Sequence, residues 1–390
     1  MGKLLRALGL MSGTSMDGID VALIVTDGES HVERGPAQTF PYNAEMRGLL
    51  GQAVTDAQDL IRRDERPGAL PHAERELTEQ HAAAVSAFLR RHGIERGTID
   101  VIGFHGQTVL HRAPRSQEGA TINGASPNVF QSGLTLQLGL GEMLAELTRL
   151  PIVYDMRAAD VEAGGQGAPL VPVYHRALVA KLSQRPVAVV NIGGVANVTY
   201  VGEGDHLLAF DTGPGSALID DLVRAYDAGT CDSDGALAAK GRIQHDIVTA
   251  YLSDPYFARV PPKSLDRNAF NRSLVAALRL EYAAATLSAF TAEAIARARS
   301  YMPQEPQLWI VCGGGRKNKT LMKMIAERVE NAVVPAEAAG LDGDALEAEA
   351  WGYLAVRSLA GLPLTYPGTT GVAAAMCGGR LAKPAKPWGC

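Results

Sequence analysis

No run of about 18 consecutive apolar residues occurs in the 390-residue chain, which excludes a transmembrane helix on length alone. Cysteine is scarce. Cys231, Cys312, Cys377 and Cys390 form no CxxC pair, so neither a disulfide framework nor a thiolate metal site is indicated, and four reduced thiols in a chain this long point to the cytoplasm. An excess of positive charge is also missing: the formal net charge is -5, which leaves no basic face for nucleic acid or an anionic membrane. The start, "KLLRALGLMSG", imitates a short signal peptide, but Arg6 breaks its apolar stretch and a polar turn follows at once, so a first β-strand fits better. Arg6 also stands where a myristoylation signal behind Gly2 needs Ser or Thr. A small-molecule partner is the expectation that remains.

What is present is apolar content and glycine. With 46% hydrophobic residues the chain can bury a large core, and its length suits two or three domains. Apolar alternation predicts strands over 4–11 and 19–26, joined by the glycine-rich "SGTSMDG". An amphipathic helix is predicted over 72–92, with Leu77, Val85, Phe88 and Leu89 on one stripe and Gly93 as its stop. "IDVIGFHGQTVLH" reads as a buried strand, 115–133 as a surface excursion, 141–148 as a helix and "PIVYDM" as a strand. From residue 186 the layout repeats: "RPVAVVNIGGVANVTYVG" is again strand, Gly-Gly turn and strand, and "HLLAFDTGPGSALIDDLVRAY" adds strand, turn and helix. Helices over 273–301, 318–331 and 344–359 surround a last strand, "QLWIVCGGG", and the tail "LAKPAKPWGC" is expected to fray. The pattern predicts two related α/β halves, 1–185 and 186–390, with an approximate boundary and, as an alternative, a C-terminal helix packed back on the first half.

Three glycine-rich turns follow strands: "MSGTSMDG", "FDTGPGS" and "CGGGRKN". Any one could be a tight turn and nothing more. Three together at strand ends, each beside hydroxyl, carboxylate or basic residues, point to a nucleotide site, because glycine lets backbone amides approach phosphate. The first is not a P-loop: Ile19 and Asp20 stand where Lys and Ser/Thr belong after Gly13 and Gly18. Gly13, Thr14 and Ser15 are read as a phosphate cradle, and Asp17 and Asp20 as groups that orient a metal-bound water, with turn and strand-end roles as the alternatives. Asp211, at the end of an apolar strand, stands where a catalytic carboxylate is usual; a helix N-cap is the plainer reading. His105 is also read as ending a strand, where a lone histidine is more often hydrogen-bonded structure than a base.

"GLMSGTSMDGID", "GFHGQT", "AGGQGAPLVP", "NIGGVANVT", "FDTGPGS", "DPYF", "PPKS" and "VCGGG", in this order over about residues 8 to 377, resemble the 1,6-anhydro-N-acetylmuramic acid kinases. The resemblance implies two related actin/hexokinase-like (ribonuclease H-like) domains closing on ATP and Mg²⁺, a homodimer, and a place in cell-wall recycling. It implies a reaction in which water opens the anhydro bridge while O6 of the sugar takes the γ-phosphoryl group, with Asp211 as general base and Glu347 as a second carboxylate near the sugar. His105, Arg157 and Gln166 are the implied sugar contacts. Gly313, Gly314, Gly315 and Asn318 correspond to an adenosine-binding turn, and Gly193, Gly194 and Asn197 to residues near the phosphates. The whole first turn, Gly13 through Asp20 with Met16 and Ile19, is assigned to the nucleotide, with Asp17 and Asp20 toward the metal. Many kinases of this superfamily begin that turn with Asp; here Met11 occupies the place, as in the anhydro-sugar family. Departures from the family pattern are Leu265 and Asp266 where Thr-Gly is usual, Ser216 for a common Asn, and Leu140 where Asp or Asn is frequent. A plain hexose or polyol kinase would share the fold but take a sugar hydroxyl as acceptor and no water, and an Hsp70- or actin-like ATPase switch would share it and bind protein.

Overall fold

The computed structural model describes residues 2–13, 15–117, 129–131, 133–204 and 206–385. Thr14, most of the 115–133 excursion and the end of the tail lie outside the described residues. The chain divides into two compact units, Met1–Leu178 with Glu347–Cys390, and Val179–Leu346. The approximate boundary at 185/186 thus falls at 178/179, and residues 347–390 group with the first unit, the alternative named above for the C-terminal helix. The reason is packing. Helix Leu346–Leu359 lies directly on the first unit's sheet: a Cβ added to Gly9 would sit 1.7 Å from the Ala348 carbonyl oxygen, and one on Gly103 1.9 Å from that of Trp351.

In the first unit Leu5–Ser12, Gly18–Thr26 and Val32–Pro41 form an antiparallel meander. Val101–Arg112 adds parallel to the first of these strands, and Ile152–Tyr154 adds parallel to it in turn. Leu134–Leu138 pairs with the outer half of Val101–Arg112, and Arg380–Ala382 closes the edge beside Ile152–Tyr154. The second unit repeats this order: Val187–Ile192, Val195–Val201 and Leu207–Pro214 are an antiparallel meander, followed by parallel Leu308–Cys312 and Ala332–Pro335. The α/β class is thus as expected, and the echo seen between residues 4–26 and 186–202 is a repeat of topology.

Local physics accounts for the elements. Helix Leu70–Arg91 stops where Gly93 takes φ +61° and Ile94 N–H reaches back to the Leu89 carbonyl at 2.9 Å, an ending that glycine permits without a Cβ clash. The helix predicted from residue 273 begins at Leu280 instead, because Arg279 is extended and Ser273–Val275 makes only a single 3₁₀ turn. Its alanine-rich body, Ala283 to Ala296, is buried almost throughout in the second unit's core, where small side chains let it approach its neighbours closely. Strand Val32–Pro41 and helix Ala44–Asp56, capped by Asn43 Oδ1 accepting Met46 N–H at 2.8 Å, were not foreseen from periodicity.

Candidate functional site

The first glycine-rich turn connects Ser12 to Gly18, with Ser12 opposite Ile19 and Met11 opposite Asp20. Met16 holds φ +52°, and its N–H donates to the Gly13 carbonyl at 3.0 Å. Ser15 Oγ donates to Asp17 Oδ1 at 2.9 Å, and both side chains are exposed. Thr39 Oγ1 donates to Asp20 Oδ1 at 2.5 Å. Two assignments narrow. Ile19 buries its side chain in the core, so only its backbone is left for a nucleotide, and Gly18 is glycine because a Cβ would lie 2.5 Å from the Phe40 carbonyl oxygen. Thr14 lies outside the described residues. Among the described residues no group of three His, Cys, Asp or Glu could hold a metal by itself. Asp17 and Asp20 fit only a cation that brings most of its oxygen ligands with it, the habit of Mg²⁺ bound to phosphates and water.

His105 does not end its strand; Val101–Arg112 runs on for seven more residues. Gly106 at φ +73° interrupts the pairing with the first strand, which resumes one step out of register at Ser12–Gln107, and such an irregularity re-aims a side chain. His105 is 6% exposed, and burial together with the Arg157 guanidinium depresses its pKa well below the usual histidine value, so the ring is neutral at pH 7. Arg157 can only donate, and its Nε and Nη2 lie 3.4 and 3.3 Å from His105 Nε2. The ring proton is therefore on Nδ1, which donates to the Ser12 carbonyl at 3.3 Å. Arg157 Nη1 donates to the Gly167 carbonyl at 2.9 Å, and Gln166 N–H donates to the Thr370 carbonyl at 2.7 Å. Buried Asp160 ties the same loop down, accepting Gly167 N–H and Thr370 Oγ1–H at 2.7 and 2.6 Å.

The sequence reading missed Trp351. Its ring stacks on His105 at 4.4 Å between centroids, carries the Arg157 guanidinium at 5.2 Å, and donates its indole N–H to Met11 Sδ at 3.1 Å. Met11 thus faces an aromatic partner 340 residues away. Only the helical spacing of "EAEAWGYLAV" hinted that Trp351 faces inward. Glu347, in the first turn of the same helix, is half-buried.

In the second unit Asp211 lies inside strand Leu207–Pro214 and is 9% exposed. The segment after residue 254 clamps it: Asp211 N–H donates to the Lys263 carbonyl at 3.0 Å, Tyr256 OH donates to the Asp211 carbonyl at 2.5 Å, and Leu265 N–H donates to Asp211 Oδ2 at 2.7 Å. Buried Lys263 donates to the Tyr256 carbonyl at 3.2 Å and lies over the rings of Tyr256, Tyr301 and Phe210 at 4.7, 5.0 and 5.9 Å. Burial lowers its pKa to about 8. Across the sheet Asp211 is directly opposite Asn197, which is opposite Asn191, which is opposite Cys312. The second unit's own glycine turns touch one another and this row. Gly215 N–H donates to the Gly194 carbonyl at 2.9 Å and Ser216 N–H to that of Gly193 at 2.8 Å. Gly313, at φ +74°, passes so close to Asn191 that a Cβ would lie 2.3 Å from its Oδ1. Gly315 packs on Ile192, whereas Gly314 is exposed with open space where a Cβ would be. Asn318 caps helix Lys319–Val329, its Oδ1 accepting Leu321 N–H at 2.8 Å.

The anhydro-N-acetylmuramic acid kinase family profile matches residues 5–383. The chain belongs to that family. A protein of Agrobacterium fabrum strain C58 called anhydro-N-acetylmuramic acid kinase is 49% identical over 98% of this chain and 100% of its own length. One from Rhodopseudomonas palustris strain BisB18 with the same name is 50% identical over 97% of this chain and all of its own. Solved structures are looser matches: a glucokinase of the ROK family from Streptomyces griseus shares 14% identity at TM-score 0.38, covering 90% of this chain and 99% of that one, and nothing about the site follows from it. The family's motifs "DPYF" and "PPKS" hold Tyr256 and Lys263, so the clamp on Asp211 lay in the sequence without a visible role.

Proposed function

We propose that this member of the anhydro-N-acetylmuramic acid kinase family uses ATP to phosphorylate 1,6-anhydro-N-acetylmuramic acid, with hydrolysis of the anhydro bridge coupled to the transfer. The proposal extends to a cytoplasmic homodimer working in cell-wall recycling, which the family membership supports. The observation that carries the chemistry is the clamp on Asp211: a carboxylate held by a fixed backbone N–H within a strand that runs on into the Gly213–Gly215 turn.

In the reaction the water oxygen bonds to the anomeric carbon and one water proton passes to Asp211. The C1–O6 bond breaks, its electron pair goes to O6, and O6 attacks the γ-phosphorus as ADP leaves. Phosphorus thereby takes the role that an acid carboxyl plays toward the leaving oxygen in ordinary glycosidases. Positioned proton transfer of this kind is worth roughly 10²–10⁴-fold in rate. The turns at Gly13–Ser15, Gly193–Gly194 and Gly313–Gly315 would hold the nucleotide, and Asp17 and Asp20 would support Mg²⁺, which neutralises phosphate charge when bound. Glu347, His105, Arg157 and Gln166 would contact the sugar; a neutral His105 accepting from Arg157 keeps that guanidinium fixed in direction.

The test is mass spectrometry of product formed in ¹⁸O-labelled water with Mg-ATP, comparing wild type with Asp211→Asn. One label at the anomeric position of a phosphorylated sugar, in wild type alone, supports both the coupled reaction and the base. Label absent from the sugar phosphate would refute coupled hydrolysis, and near-normal kcat in Asp211→Asn would refute the base.

A further inference from the structure

Asn197 has an unusual position. It is directly opposite Asp211 on the neighbouring antiparallel strand, so the two side chains share a face of the sheet with Cβ atoms about 4.5–5.5 Å apart. Its Oδ1 is buried and has no hydrogen-bond partner among the described residues. A buried acceptor left unpaired costs about 1–3 kcal/mol, a cost that a bound ligand would remove. The ligand must supply a proton donor, and phosphate oxygens do not. A water molecule has two.

Resting on the reading of Asp211 as base, we propose that Asn197 is a catalytic residue that holds the nucleophilic water by its second proton. One O–H of the water points to the Asp211 carboxylate and the other to Asn197 Oδ1. That arrangement leaves a lone pair directed away from both, toward the anomeric carbon. In the step itself the oxygen–C1 bond forms, the proton facing Asp211 is transferred to the carboxylate, the C1–O6 bond breaks with its electron pair on O6, and O6 displaces ADP from the γ-phosphorus. The proton facing Asn197 remains on the new anomeric hydroxyl. The amide must present its oxygen for this, since its NH₂ would donate into the lone pair that has to attack. This places Asn197 at the water rather than at the phosphates. Tyr256 and Lys263 are charged or titratable groups among the described residues beside the pair, with Arg259 against the Tyr256 ring and Tyr301 beyond Lys263.

The experiment is steady-state kinetics and equilibrium nucleotide binding for Asn197→Leu, which keeps volume and removes the acceptor, with Asn197→Ala as the second variant should Leu fail to fold. Expected are a roughly hundredfold fall in kcat, a Kd for a non-hydrolysable ATP analogue changed by less than about twofold, and an unchanged melting temperature. Methanol gives a second readout. It has one O–H, which goes to Asp211, so it cannot satisfy Asn197; wild type should select water strongly, and the variant should form more methyl glycoside 6-phosphate relative to the free sugar phosphate. If kcat stays within about twofold, or if nucleotide affinity drops while kcat at saturation is kept, the proposal is overturned and Asn197 belongs to the phosphates. Asp211→Asn run alongside separates the two failures: an active Asp211→Asn removes the base reading itself, whereas an inactive Asp211→Asn with a normal Asn197→Leu removes only the second anchor.

Discussion

The Asp211 carboxylate accepts a 2.7 Å hydrogen bond from the backbone N–H of Leu265. The sequence resemblance leads one to expect Thr at position 265, yet what Leu265 offers the carboxylate is an atom every residue except proline carries. Leu265→Thr is therefore expected to keep kcat within about twofold. Leu265→Pro removes the donor that fixes the carboxylate's direction, so kcat should fall at least about tenfold. Steady-state kinetics of both variants checks this; a kcat in Leu265→Pro within about twofold of wild type would show that the bond does not position the base.

The contact of helix Leu346–Leu359 with the sheet should tolerate no side chain at Gly9 or Gly103, where a Cβ would fall within 2 Å of a helix carbonyl oxygen. Gly9→Ala and Gly103→Ala should each destabilise the protein by about 1–3 kcal/mol or more, the cost of overpacking. As the same helix carries Trp351 and Glu347, KM for the sugar should rise as well. Calorimetry with sugar kinetics tests the pair, and a melting temperature equal to wild type would mean the helix is not held where it is described.

Acid sensitivity should come from three buried histidines of the first unit. Burial lowers His81 and His175 to about 4, and His105 lies well below the usual value. Unfolded, each takes up a proton near pH 6.5, so below that pH the unfolded chain binds more protons than the folded one and stability falls with pH. Each contributes up to about 1.4 kcal/mol per pH unit between pH 6.5 and its folded value. The melting temperature should decline from pH 7 to 5, and His81→Gln should shallow that slope. A flat profile over this range would contradict the neutral-histidine assignment.

Arg316 secures the third glycine turn. Its side chain is buried, Nη1 donates to the Gly313 carbonyl at 2.9 Å, and it pairs with Glu337 at 2.7 Å and Asp344 at 2.9 Å. These contacts hold the Asp344 carboxyl at about 2. Arg316→Met is expected to free the turn, raising KM for ATP several-fold while leaving KM for the sugar unchanged. Equal effects on both substrates would argue for general unfolding instead.

Much of this was legible in the sequence because it is local. Apolar alternation, the Gly93 stop and the strand–turn–strand repeat depend on residues a few positions apart, and the "FDTGPGS" and "GLMSGTSMDGID" turns advertise themselves by glycine beside hydroxyl and carboxylate. Asp211, His105 and the glycine turns could be singled out on that basis. The partners of these residues could not. Trp351 reaches His105 and Met11 from the other end of the chain, Tyr256 and Lys263 reach Asp211 across some fifty residues, and Asn197 meets Asp211 only once two strands are in register. The return of residues 347–390 to the first unit has the same origin, since two glycines on separate strands leave room for a helix more than 240 residues later. Periodicity records which face of an element is apolar; which distant backbone comes close enough to use that face is decided by packing, and only the folded chain holds that information.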